Sequence, residues 1–226
     1  MIFEEVTLKE KNNIFFVKNL ILTNNNKINE IEKIQANYID KENLENKIKL
    51  MKINDNYLIN GNSFNINKII SVLLETDNSK NKKLFNKNLK FDFDLKKVYL
   101  DEKNIIRDFQ GYLFLNDNKV SELSLEAKFE NQKNIKLTIN SNNGDQITTL
   151  FSNEAKPLVD RYKFIKGFNE GSLDFYSIKK NNNTKSTLKI YDFKLKELPA
   201  LTKILTLASL QGIADLLSGE GIRFSE

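Results

Sequence analysis

The stretch Leu123-Ser124-Leu125-Glu126-Ala127-Lys128-Phe129 alternates apolar and polar side chains without a break, and a period of two is the mark of a strand with one dry face and one wet one. The pattern recurs along the chain. Val6 and Leu8 alternate; Phe16, Lys18, Leu20 and Leu22 form one possible face of a second strand; Ile34, Ala36 and Tyr38, then Ile48 and Leu50, repeat the period. Further strands are predicted over Leu89–Leu100, Tyr112–Leu115, Leu123–Phe129, Ile135–Ile139, Leu173–Ile178 and Leu188–Leu195. Between them lie Asn24-Asn25-Asn26, Asn116-Asp117-Asn118, Asn131–Asn134 and Asn181-Asn182-Asn183. Asn and Asp tolerate the left-handed backbone that tight turns need, so these clusters read as hairpin loops. The expected fold is mainly β with a few helices, an antiparallel meander.

Three helical interruptions are expected, over Lys68–Glu75, roughly Ile147–Asp160, and Leu198–Ser218, with Asp145 capping the second. The third is the best marked. Pro199 sits in its first turn, where its missing N–H has no intrahelical partner. Leu201, Ile204, Leu205, Ala208 and Leu216 share one side, Thr202, Lys203, Thr206 and Ser209 the other, and Gly219 and Gly221 bracket the stop. Lys203, Gln211 and Asp215 interrupt it, and an ionic residue near mid-bilayer costs about 2.5–3.5 kcal/mol, so a membrane span is rejected in favour of a capping helix. Residues 1–76 form one sheet portion, the polar stretch 77–83 a joint, and 84–226 a second portion with the capping helix, stopping at the start of a further strand.

Composition narrows the chemistry. The chain has no Cys and no His, which removes disulfides, thiol nucleophiles, zinc–thiolate sites and the usual general base. Asp92 and Asp94, two apart on a strand, project to one face where they could share a proton or hold a hard cation, but Leu89, Phe91, Phe93 and Leu95 alternate with them, so they read as the solvated face of a strand. No catalytic residue, metal ligand or cofactor is assigned. The excess of 35 basic over 30 acidic residues rests on Lys, with Arg only at Arg107, Arg161 and Arg223, and no Arg–aromatic cluster of the kind that reads nucleic acid is present.

An antiparallel sheet with one apolar face must cover that face with helices or a second sheet, or else curl and leave it open to apolar ligands. Several segments bear on the choice. They are Asn60-Gly61-Asn62-Ser63-Phe64-Asn65-Ile66 before the helix at Lys68, Ser141-Asn142-Asn143-Gly144-Asp145 before Leu150-Phe151, the Gly-rich run Phe164–Leu173, and the strand, Leu-Pro-Ala, helix, Gly-Glu-Gly order near the end. In this order they resemble the C-terminal region of the AsmA-like family, its YhdP-type branch in particular, over residues 60–224. Asn65 stands where the family usually has Asp.

The resemblance implies a curved antiparallel sheet forming a groove, a β-taco or partial barrel, capped by the long amphipathic C-terminal helix. It implies a non-enzymatic module supporting phospholipid transport between inner and outer membrane and outer-membrane integrity; the alternative is a structural or scaffold β-protein of the cell envelope that binds protein partners. The implied partners are phospholipid acyl chains and other envelope proteins, not nucleic acid. Candidates for the groove lining are Phe91, Phe93, Leu123, Leu125, Ala127, Phe129, Leu137, Ile139, Leu173 and Phe175. Met1-Ile2-Phe3-Glu4-Glu5 lacks the basic and apolar regions of a signal peptide. The implied location is therefore inherited from a longer protein, anchored in the inner membrane and periplasmic, with membrane contact made through parts outside this chain.

Overall fold

The computed structural model describes residues 1–67, 88–117, 119–142, 144–162, 165–180, 183–196 and 222–224. About three-quarters of these residues are strand, in one curved, unclosed sheet. Its strands are β1 (Ile2–Glu10), β2 (Asn13–Leu22), β3 (Ile28–Ile39), β4 (Glu45–Ile53), β5 (Asn56–Asn65), β6 (Leu89–Tyr99), β7 (Ile105–Asn116), β8 (Lys119–Phe129), β9 (Asn134–Asn142), β10 (Asp145–Ser152), β11 (Phe168–Lys180), β12 (Asn183–Leu195) and the three-residue β13 (Ile222–Phe224). They lie side by side in chain order. The hairpins turn on left-handed residues at Lys11, Asn26, Asn43, Asn54, Asp117 and Gln132, which accounts for the Asn-rich clusters.

The meander departs from the antiparallel expectation once. β5 and β6 pair in parallel, with Tyr57 opposite Phe91 and Ile59 opposite Phe93. Parallel neighbours need a crossover, not a hairpin, and here it passes through residues 66–88. The expected helix Lys68–Glu75 and the joint 77–83 lie in that stretch, outside the described residues, and the helix expected over Leu198–Ser218 lies outside the described residues too. The sheet itself runs on through the β5–β6 pair.

The helix expected over Ile147–Asp160 is corrected by the structure. Residues 147–152 belong to β10, paired with β9 on one side and β11 on the other, and only Lys156–Tyr162 is helical (α1). Ile147, Thr148 and Thr149 are β-branched, and two ladders outweigh the weak apolar spacing that suggested a helix. Asp145 accordingly caps no helix; it opens β10 and meets Lys180 at 3.1 Å. In β2 the inward positions are Val17 and Leu20. Phe16 and Lys18 face outward instead, Phe16 beneath the Lys33 ammonium at 5.4 Å and Lys18 paired with Glu32 at 2.7 Å.

That change of phase in β2 is one of three creases. Cross-strand pairing skips one residue at Asn19, at Asp108 and at Gly171 with Asp192. Asn19, Asp108, Glu170 and Asp192 all have φ between 48° and 61° inside strands. A left-handed residue at such a skip bends and twists the strand locally, with a true bulge at the second, where Asp108 and Phe109 of β7 face Ala127 of β8, and each skip lets a strand bury residues three apart, as with Leu95 and Val98 or Ile106 and Phe109. The sheet curls toward its apolar face. The Tyr57 hydroxyl on β5 accepts a hydrogen bond from the Ile31 N–H on β3 at 3.3 Å, reaching across β4, although alternate strands of a flat sheet lie about 9.6 Å apart.

One end of the curled sheet is covered. Ala155, just before α1, and Val159 within it pack without exposure against Phe168 and Leu173, and the Ala155 N–H donates to the Gly171 carbonyl at 2.8 Å. Arg161 reaches the far side, donating to the Leu100 carbonyl and, at 2.7 Å, to Asn67 Oδ1. There a polar knot closes the β3–β4 turn onto β5: fully buried Asn46 donates to Asp40 at 3.2 Å, and Asn65 Nδ2 donates to both Asp40 and Glu42 at 2.7 Å. Burial pushes the Asp40 carboxyl up, but bonds from Asn65, the Leu44 N–H, Asn46 and the Glu42 N–H together hold it below the usual carboxylate value. Position 65 needs a donor between two carboxylates, which Asn supplies and Asp does not.

Candidate functional site

The inner face carries an apolar lane running perpendicular to the strands. Val6 lies opposite Val17, Val17 opposite Ile34, Ile34 opposite Leu50, Leu50 opposite Ile59 and Ile59 opposite Phe93. The same row continues through Gly111, Leu125, Leu137, Leu150 and Phe175 to Leu188. Twelve strands about 4.8 Å apart give the lane a length of about 53 Å. Every member is apolar. Val17 alone among them is buried; the others are half-buried, and Leu188 is 43% exposed.

The next row toward α1 is oily too and more deeply buried from β3 onward, although Leu8 and Phe15 at its start are 62% and 40% exposed and Ile48, Ile135 and Ile190 are half-buried. Ala36, Leu95, Phe109, Ala127 and Leu173 are each less than a tenth exposed, packed under the creases and the helix. Among the described residues the lane is therefore the less deeply buried part of the apolar face.

Of the residues expected to line a groove, Phe93, Leu125, Leu137 and Phe175 stand on the lane. Leu123 and Ile139 flank it one position toward the end away from α1, half-buried, together with Phe91, which is buried and stacked on Tyr57 at 5.6 Å. Ala127, Phe129 and Leu173 are core, in the two clusters beneath the covered end. Reasoning from the sequence missed the N-terminal half of the lane. Ile34 and Leu50 were visible as alternating residues; Ile59 was not, because β5 is so rich in Asn that its period is hard to see.

Gly111 interrupts the lane's side chains for a backbone reason. Its φ is 142°, and a Cβ there would lie 1.9 Å from the Ser124 carbonyl oxygen and 2.9 Å from Leu125 Cα. β7 and β8 approach too closely at this point for any side chain.

The outer face is mostly wet. Asp92 and Asp94 lie there, Asp92 paired with Lys90 at 3.3 Å. It also bears a hollow of about 340 Å³ between Phe151, Asp174, Tyr176 and Lys189, with Phe151 and Tyr176 each more than 40% exposed. Among the described residues no group of three acidic side chains is placed to hold a metal ion, and no helix is long and apolar enough to cross a membrane. Comparison with family models, with curated proteins and with solved structures finds no match to this chain.

Proposed function

We propose that the lane holds lipid acyl chains, and that the protein is a non-enzymatic module of an AsmA-like envelope protein supporting phospholipid movement between the inner and outer membranes and outer-membrane integrity. In this reading the groove is the concave side of the curled sheet, and the longer protein is anchored in the inner membrane with this part in the periplasm. The observation that carries it is the apolar row across twelve strands, half-buried along most of its length and lacking a side chain at Gly111. A chain lying along it needs no polar pocket, since each methylene withdrawn from water contributes about 0.8 kcal/mol. A path without a tight site suits passage better than storage.

The test is lipid retention. Native mass spectrometry after mild purification should find phospholipid on the natural chain and none on Leu125→Glu, with the β-sheet circular dichroism of the two alike, because an open lane can solvate a carboxylate that a sealed core cannot. Undiminished retention by the variant, or a natural chain that carries no lipid, would sink the proposal. A second reading, a scaffold for protein partners, is favoured by the exposed Phe151 and Tyr176 on the outer face. It predicts that Phe151→Ser with Tyr176→Ser abolishes partner capture and leaves lipid retention untouched.

A further inference from the structure

The two flanks of the lane differ in polarity between the halves of the sheet. In β6, β7 and β8 the neighbouring row on the uncovered side is Phe91, Leu113 and Leu123, and the row beyond it Leu89, Leu115 and Val120. In β10, β11 and β12 the same two rows are Thr148, Ser177 and Ser186, then Gln146, Lys179 and Thr184. The apolar lane thus has a polar rim over β10–β12 that it lacks over β6–β8; the inward Lys52 on β4 is already paired with Glu30 at 2.7 Å. The rim is ordered by its own bonds: Ser177 and Ser186 share one at 2.9 Å, and Gln146 Nε2 donates to Ser141 Oγ at 3.2 Å. Lys180, on the outer face, is held by Asp145. Lys179, on the inner face, is exposed and makes no salt bridge among the described residues.

We infer that this rim is a headgroup subsite, and that an amphiphile with an anionic, oxygen-rich head, a phosphate ester, is bound in one orientation. Its head rests against Lys179 and the Thr148, Ser177 and Ser186 hydroxyls, and its tail runs along the lane toward Phe93. The inference rests on the acyl-chain reading above. Its physical ground is that a hydrated head is stable only where the flank offers hydrogen-bond partners, whereas a tail gains most where both flanks are apolar. From β11 to β6 the lane spans about 24 Å, a length on the scale of an extended acyl chain.

Two photoreactive phospholipids decide it, one with the reactive group on the head and one with it at the tail terminus, mapped by peptide mass spectrometry on the whole chain. The head probe should label β10–β12 and the tail probe β6–β8. Lys179→Glu should lower retention of phosphatidylglycerol about fivefold, the scale of an exposed charge contact, and leave diacylglycerol with the same tails unchanged. Both lipids retained, with the two probes labelling both halves alike or Lys179→Glu without effect, would overturn the subsite and leave the acyl-chain reading standing. Binding of inorganic phosphate in place of lipid would also overturn it. Retention of neither lipid would overturn both.

Discussion

Two adjacent rows of the same inner face meet opposite fates. Leu95, Ala127 and Leu173 are buried, while Phe93, Leu125 and Phe175, two residues along the same strands and about 6.6 Å away, stay half-open. The residue types are interchangeable. What separates the rows is what packs on them: Leu95, Phe109 and Ala127 close on one another beside the bulge at Asp108, and Leu173 is covered by Val159 of α1. A period of two therefore identifies a face, and only tertiary structure decides how deep each part of that face sits.

The largest effect should come from the sealed row. Phe109→Ala, at a position 6% exposed and in edge contact with Phe93 at 5.9 Å, should cost about 3–5 kcal/mol in urea unfolding. Leu125→Ala, on the open row, should cost about 1 kcal/mol, because its site is already partly solvated. Equal costs would mean that the two rows are a single core and the lane is not separately accessible.

Next in size is Gly111→Ala, which tests whether the lane depends on close approach of β7 and β8. A methyl 1.9 Å from a backbone oxygen cannot be absorbed by a rotamer change, so the strands must part, at about 2–4 kcal/mol. Ala at neighbouring, outward-facing Gln110 should be close to neutral by the same measurement.

How much of this was legible beforehand follows from the same contrast. Leu123–Phe129 states its face outright, and β8 forms as read. The creases were hidden because a bulge converts period two into a spacing of three, as in Ile31 and Ile34 or Leu95 and Val98, and three is also a helical spacing. β10 was lost for a related reason: Ile147 through Phe151 is short, and its two ladders come from strands distant in sequence or across a turn. The Asn-rich β5 offered little period, and its parallel partner lies beyond a crossover that no local signal announces. For the lane, individual members such as Leu125 and Phe93 were legible, but their alignment in one row depends on the register of every hairpin.

A smaller effect, with a size that depends on pH, is expected at the covered end. Asn65→Asp replaces a donor to Asp40 and Glu42 with a third carboxylate, at about 1–2 kcal/mol at pH 7 given the partial exposure of the knot. The natural chain draws stability from the depressed Asp40 pKa. That contribution is present above the unfolded value near 3.9 and is lost as pH falls through the lower folded value. In the variant, crowding raises the carboxyl pKa values, so its deficit should be greatest at neutral pH and shrink toward pH 4. Thermal melts at the two pH values measure this; a deficit that grows on acidification would contradict the bonding described.

The smallest expected change in stability is at the lane's C-terminal end. Leu188 is 43% exposed and lies opposite Phe175, so Leu188→Ser removes little buried area and should shift unfolding by less than about 0.5 kcal/mol. Its consequence for the ligand should be out of proportion to that. If chains lie along the row, Leu188 is where apolar contact begins beside the Ser177–Ser186 rim, and a hydroxyl there should lower retention of long-chain phospholipid while leaving the melting curve in place. A matched substitution on the outer face of the same strand, Thr187→Ser, controls for generic surface effects. Loss of retention with Leu188→Ser but not with Thr187→Ser would separate the open lane from the sealed core by function and not by burial alone; identical retention by the two would confine the lane's working part to β11 and the strands before it.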